Sequence, residues 1–200
     1  MTSLAKQDDR AWTWDDYRAW RGDERWEIIG GSAFAMSPAP STAHQAVILR
    51  IVSRLERALA GGPCRPFVAP TDVRLTDTDV VQPDILVVCD AGKITPECIV
   101  GAPDVVVEVL SPNTAIRDLR EKKALYARCG VREYVIVDPL EHYATRFLPG
   151  AAGYDAGDTF GGDETLPFAT FDGLEIPLWE VFDLPVPGSL PPARGPGSAS

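Results

Sequence analysis

Glu108 is the residue whose setting asks most for a chemical explanation. It interrupts the run Val105-Val106-Val107-Glu108-Val109-Leu110, and a continuous apolar run of this kind reads as a strand buried on both faces. A lone carboxylate in such a strand is costly unless it is paired, protonated or bound to a cation. Glu108 therefore reads either as part of a buried ion pair or as a metal ligand. Asp84 follows Pro83 at the mouth of a neighbouring apolar run, Ile85-Leu86-Val87-Val88-Cys89. A Pro-Asp pair often only starts a strand at a turn, and a second acid for the same cation is the alternative. Pro103-Asp104 is a second such pair and a decoy. Alternation puts Asp104 and Glu108 on one face, but four residues span about 13 Å, too far for one ion.

Lys122 stands out by helical periodicity. At about 100° per residue, Ile116, Leu119, Leu125, Tyr126 and Cys129 define an apolar arc with Lys122 near its middle. A lysine there needs an acidic partner or a chemical role. Asp118 lies one turn earlier, within the same arc, and supplies an ordinary i, i+4 ion pair or a further member of a site. Two more residues are secondary candidates. His44 falls one turn before Ile48, on the side of a core-facing stripe, and Glu27 sits between Trp26 and Ile28 on the face opposite theirs.

The elements that must position these groups can be read in order. Thr13 followed by Asp15 and Asp16 predicts a short helix over 14–20. Two apolar stretches about Gly30-Gly31 predict a hairpin, broken by Pro38 and Pro40. Ser41 caps a predicted helix from 42 to about 60, with Ile48, Ile51, Val52, Leu55 and Leu59 as its apolar stripe. Short strands are predicted over 64–69 and 72–75, then buried strands over 85–89 and 105–110. A helix follows over 115–129, ended by Gly130. Strands are predicted over 131–137 and 142–148, and a loop or irregular hairpin over 150–166. Residues 168–182 return apolar side chains to the core. Alternation of helix and strand predicts an α/β or α+β fold with one mixed central sheet flanked by helices. Residues 1–183 read as a single domain, and the Pro-, Gly- and Ser-rich 184–200 as a flexible tail.

Composition excludes some classes. No run of about 18 apolar residues offers a transmembrane helix, and the N-terminus has no apolar signal-peptide segment, so the expectation is a cytoplasmic protein. Cysteines 64, 89, 98 and 129 form no CxxC pair and no zinc-type spacing with histidine. Cys89 and Cys129 read as small buried hydrophobes. The net charge of −10 argues against tight nonspecific binding to nucleic acid by the whole surface, while leaving room for a local basic groove.

Taken together, Glu27-Ile28-Ile29-Gly30-Gly31, Met36-Ser37-Pro38, His44, Pro83-Asp84-Ile85, Gly101-Ala102-Pro103-Asp104, Glu108-Val109-Leu110-Ser111-Pro112, Asp118, Lys122, Tyr126, Gly130-Val131-Arg132-Glu133-Tyr134 and Val137-Asp138-Pro139 form a specific signature over roughly 12–182. It resembles the Uma family of restriction-endonuclease-like proteins, within the PD-(D/E)XK nuclease superfamily. The resemblance implies a restriction endonuclease-like fold and a Mg2+- or Mn2+-dependent endonuclease acting on DNA. It implies Asp84, Glu108 and Lys122 as catalytic residues, and Asp84, Glu108 and the Val109 carbonyl as metal ligands. Two departures stand out. Leu110 occupies the position where the superfamily carries lysine, and in this family that lysine sits on the following helix, where Lys122 is. Val135 replaces the usual tryptophan, a packing change. A homodimer is also expected, since double-strand cleavage commonly uses two subunits. The main rival is a non-catalytic or weakly active nucleic-acid-binding or regulatory module with the same fold, and a plain structural domain is the third reading.

Overall fold

The computed structural model describes residues 5–6, 10–22, 24–36, 41–112 and 115–189. Pro38, Pro40 and residues 190–200 of the predicted tail lie outside them.

The chain opens with a two-residue strand, β1 (Ala5–Lys6), and helix α1 (Trp14–Ala19). Thr13 and Asp16 cap α1 reciprocally, each side chain accepting the other's backbone N–H. Strands β2 (Trp26–Ile29) and β3 (Ser32–Ala35) pair as a hairpin. Its two turn residues, Gly30 and Gly31, have φ of 56° and 77°, which the favoured two-residue hairpin turn requires and only glycine adopts freely. Helix α2 (Thr42–Leu59) starts from Ser41, whose hydroxyl accepts from the His44 N–H. Then come β4 (Arg65–Val68), β5 (Val73–Thr76), β6 (Asp79–Val81), β7 (Ile85–Val88), β8 (Ile99–Val100) and β9 (Val105–Val109). The next helical stretch has three parts: α3 (Ala115–Arg117), a π-helical segment (Asp118–Lys122) and α4 (Lys123–Cys129). After it come β10 (Glu133–Asp138), β11 (Tyr143–Phe147), β12 (Pro149–Gly150), β13 (Gly153–Tyr154), β14 (Asp158–Gly161), β15 (Thr165–Pro167), β16 (Glu175–Pro177) and α5 (Leu178–Phe182).

The architecture is mixed α+β, with mixed sheets flanked by helices. Where the sequence predicts one sheet, the described residues form two six-stranded ones, β1-β3-β2-β6-β5-β8 and β14-β11-β10-β9-β7-β4. Each contains one parallel pair, β5 with β8 and β9 with β10. The chain passes from one sheet to the other through Gln82-Pro83-Asp84, between β6 and β7. Pro83 has no N–H to give to a ladder. The three-residue β6 and the two-residue β1 and β8 are too short to leave a sequence signal, so half the strands of the first sheet are not predicted from sequence.

The second sheet is covered on both faces. Val105, Val107 and Val109 of β9 join Ile48, Ile51 and Leu55 of α2 in one cluster. Val106 joins Leu125, Tyr126 and Tyr134 in the other. By alternation Glu108 shares the face of Val106, toward the π segment.

Two readings need correction. Cys89 is not a lone buried hydrophobe but is disulfide-bonded to Cys64. Antiparallel pairing of β4 with β7 puts Arg65 opposite Val88, so the residues one step further along face each other. Cys129 is free and half-buried. The apolar arc of 115–129 is also incomplete, because Ile116 and Leu119 are 69% and 45% exposed. The π segment accounts for this. Its wider turn, with the Lys123 N–H reaching the Asp118 carbonyl, inserts one residue and rotates the preceding turn off the core.

Candidate functional site

The site lies where the two sheets meet, and each element delivers one or two groups to it. Strand β2 of the first sheet brings Glu27, and β9 of the second brings Glu108. The crossover between sheets brings Gln82 and Asp84. The first turn of α2 brings His44, and the π segment brings Asp118 and Lys122. Glu27, Glu108, Asp118 and Lys122 are each at most 4% exposed.

Lys122 is the hub. Its Nζ lies 2.8 Å from Glu27 Oε1, 2.9 Å from Glu108 Oε1 and 3.7 Å from Asp118 Oδ1. Glu108 Oε1 also accepts from the Tyr126 hydroxyl at 2.8 Å. Its other oxygen is 3.4 Å from the Asp84 N–H. Glu27 Oε1 accepts the Gln82 N–H at 3.1 Å, and its Oε2 lies 3.8 Å from the Arg117 guanidinium. The Tyr134 hydroxyl donates to the Asp118 carbonyl at 3.0 Å and so anchors the π segment.

Asp84 and His44 form the adjoining half. Asp84 Oδ2 accepts the Val109 N–H at 2.9 Å. His44 Nε2 stands 3.2 Å from the same oxygen and 2.9 Å from the Val109 carbonyl. Its Nδ1 is buried without a hydrogen-bond partner among the described residues. Asp104, the decoy, is elsewhere. It accepts the Cys89 N–H at 2.8 Å and pairs with Arg132 at 3.2 Å.

Charge is out of balance here. Glu27, Asp84, Glu108 and Asp118 are four carboxyls gathered about one lysine, one arginine and one histidine. Burial above all, with the Asp118, Asp84 and Glu27 charges, pushes the Glu108 carboxyl up to about 8 against the downward pull of Lys122. Burial would lower the Lys122 ammonium, but Glu108, Glu27 and Asp118 hold it well above its ordinary value. For His44 too burial is the largest effect and lowers the pKa, but the hydrogen bond to Asp84, the Asp84 charge, the Val109 carbonyl and the Asp118 charge together outweigh it, so it rises. Such a cluster holds either an extra proton or an extra cation.

The sequence of this arrangement has counterparts. The family described as "Putative restriction endonuclease", Uma2, matches residues 14–179. The chain belongs to the Uma2 family. Over 127 residues it is 29% identical to "Uncharacterized protein slr1290" of Synechocystis sp. (strain ATCC 27184 / PCC 6803 / Kazusa), an alignment covering 62% of this chain and 66% of that one. It thus spans just under two thirds of that relative's length. A crystal structure from Anabaena variabilis ATCC 29413, titled as a putative nuclease belonging to DUF820, superposes with a TM-score of 0.72. That match covers 86% of this chain and 97% of the other at 19% identity, a likeness of fold.

The Uma2 chain's donor set suits a hard cation. Asp84 Oδ2 and the Val109 carbonyl converge on one point, now taken by the His44 N–H, and Glu108 Oε2 lies on the Asp84 side. Two carboxylates and a carbonyl, with water completing the shell, are the oxygen ligands that Mg2+ accepts. Among the described residues, no group of three or more His, Cys, Asp or Glu is arranged to hold a metal by itself, so the carbonyl and water are needed. Three contributors escaped the sequence reading. Tyr126 belongs to the apolar arc and to the family signature, but neither assigns its hydroxyl a role, because a hydroxyl gives no periodic signal. Gln82 and Arg117 reach Glu27 through tertiary contacts that no local pattern marks.

Proposed function

We propose that this chain is a metal-dependent endonuclease that hydrolyses phosphodiester bonds of DNA, with Asp84, Glu108 and Lys122 as its catalytic residues. The observation that carries the reading is the convergence of Asp84 Oδ2, the Val109 carbonyl and Glu108 beside a buried ammonium. Asp84, Glu108 and the Val109 oxygen would hold Mg2+ or Mn2+. When bound there, such an ion neutralises a non-bridging phosphate oxygen and lowers the pKa of an attacking water. Lys122, held as an ammonium, donates from Nζ to orient that water and stabilises charge on the five-coordinate phosphorus. Glu27 and Asp118 hold the ammonium in place, and Tyr126 fixes the Glu108 carboxylate. Without the ion, His44 holds Asp84 and the Val109 carbonyl together at the point the cation would take. Two copies would associate as a homodimer to cut both strands.

The test is nicking of supercoiled plasmid with Mn2+ or Mg2+ at low salt. Asp84→Ala and Glu108→Ala lose both cleavage and metal binding. Lys122→Ala, checked for folding by circular dichroism, loses cleavage but keeps metal binding. Asp104→Ala retains activity.

A second reading has one observation in its favour. Lys122 is saturated by carboxylates, and His44 sits between the metal donors, as in a site at rest. A regulatory or binding module with the same fold would bind metal and cleave nothing. That outcome, on every single- and double-stranded substrate tried, replaces the first reading.

A further inference from the structure

The outer face of the helix that buries Lys122 carries a different arrangement. Arg120, Lys123 and Arg128 line a groove of about 520 Å³, together with Ala127, Gly153 and Tyr154. The floor is made of small residues. Gly153 has a φ of 116°, a backbone conformation that side chains disfavour, and the β12–β13 turn it forms packs against α4, with a Cβ built on it in ordinary contact, 3.9 Å from the Ala127 Cβ.

The basic groups of this groove are short of carboxylates. Arg120 is exposed, and no described residue pairs with its guanidinium. The Lys123 ammonium lies 3.6 Å from the centre of the Phe147 ring, with no carboxylate within ion-pair distance among the described residues. Partial burial lowers its pKa, with Asp155 opposing. Arg128 pairs with Asp79 at 2.5 Å but remains 47% exposed. Asp79 itself already accepts from Gly30 N–H and the Thr76 hydroxyl. Asp155 is spent on the N–H groups of Leu148 and Gly157. In a chain of net charge −10, a groove with three cations from one helix and few acids selects an anion.

We propose that this groove binds the sugar–phosphate backbone of a nucleic acid strand, through Arg120, Lys123 and Arg128. The proposal rests on the nuclease reading of the site and extends it by naming where substrate phosphates outside that site are held. A polymer suits it better than a lone phosphate. The three cations lie along an open groove that follows the helix, and phosphates recur about every 3.4 Å of axis along each strand. The two sides of the helix then divide the work. The inner face holds the reacting groups, and the outer face holds the strand. A helix with its side chains is about 10–12 Å across, so the held phosphates lie a few nucleotides from the scissile bond.

The test separates groove from site. Binding of a fluorescent single strand and a fluorescent duplex is followed by anisotropy without divalent cation, over a range of salt. Hydrolysis of bis(p-nitrophenyl) phosphate with Mn2+ is followed in parallel, since this small diester needs the site but not the groove. Arg120→Glu/Lys123→Glu is compared with Arg21→Glu/Arg57→Glu, which makes the same charge change at exposed positions elsewhere. The neutral pair Arg120→Gln/Lys123→Gln covers the case in which charge reversal unfolds the chain. The expected result is binding weakened about tenfold or more at low salt, with the slope of log affinity against log salt reduced by about 2. The control pair binds like wild type, and small-diester turnover is unchanged. The groove proposal is overturned if groove and control variants lose binding alike, if the groove variants lose none, or if wild type binds neither probe. Displacement of the probes by inorganic phosphate at equal phosphate concentration also overturns it, in favour of a simple anion site. Failure of small-diester hydrolysis with intact oligonucleotide binding counts against the catalytic reading alone.

Discussion

Glu108 and Lys122 are each costly to bury alone, and the site shows how each makes the other tolerable. Removing one partner of a buried ion pair leaves an uncompensated charge and typically costs about 3–5 kcal/mol. Lys122→Met is therefore expected to destabilise the fold by about that amount, measured by urea denaturation, because Glu27, Glu108 and Asp118 lose their common partner. The pH dependence has a definite sign. The Glu108 carboxyl is raised from 4.5 to about 8 in the folded chain, so the folded state keeps a proton that the unfolded state releases. Stability from this group is full below about pH 4.5 and is lost as pH rises through about 8. Without divalent cation, the melting temperature of wild type should fall over this window relative to Glu108→Gln, which has no such proton to lose. A constant difference between the two from pH 5 to pH 9 would falsify the assignment.

At the scale of elements, the π segment decides which residues of 115–129 face inward. A regular helix through these positions would place Leu119 with Leu125 and Tyr126 on the core side. The wider turn sends Leu119 outward and keeps Asp118 beside Lys122. The two leucines should accordingly behave differently. Leu119→Lys is expected to change stability by less than about 0.5 kcal/mol, as exposed substitutions usually do. Leu125→Ala, at a fully buried position, is expected to cost about 2–5 kcal/mol. Chemical denaturation of both variants checks this, and a costly Leu119→Lys would restore the regular helix. Capping has a functional consequence too. Ser41 fixes the start of α2, and that start puts His44 in the first turn, its ring against Asp84.

At the scale of the molecule, the proposed function asks an acidic chain to bind an acidic polymer, so local charge has to overcome the global field. Affinity for DNA is expected to be weak and to fall steeply with salt, since screening over about 10 Å at 0.1 M weakens phosphate contacts. Filter binding at several salt concentrations measures it, and an affinity independent of salt would exclude phosphate contacts as its source. The proposed homodimer predicts a sedimentation mass twice that of the chain, and a monomer at high concentration would remove two-subunit cleavage from consideration. None of the helices among the described residues is long and apolar enough to cross a membrane.

The sequence alone determined what depends on local pattern. A carboxylate among valines had to be buried because its strand had no polar face. The positions of His44 and Lys122 followed from helical period and from the Ser41 cap. Only the tertiary structure decided what depends on contacts between distant segments. Glu27 reaches Lys122 from a second sheet, and nothing near residue 27 encodes that meeting. The π turn, the pairing of Cys64 with Cys89, and the roles of Gln82, Arg117 and the Tyr126 hydroxyl arise the same way. The crossover at Gln82-Pro83-Asp84 brings two sheets to one edge, where four acids lie close enough for their charges to interact. A linear sequence records the charges of those acids, but their mutual distance, which sets Glu108's affinity for a proton or a cation, exists only once both sheets have formed.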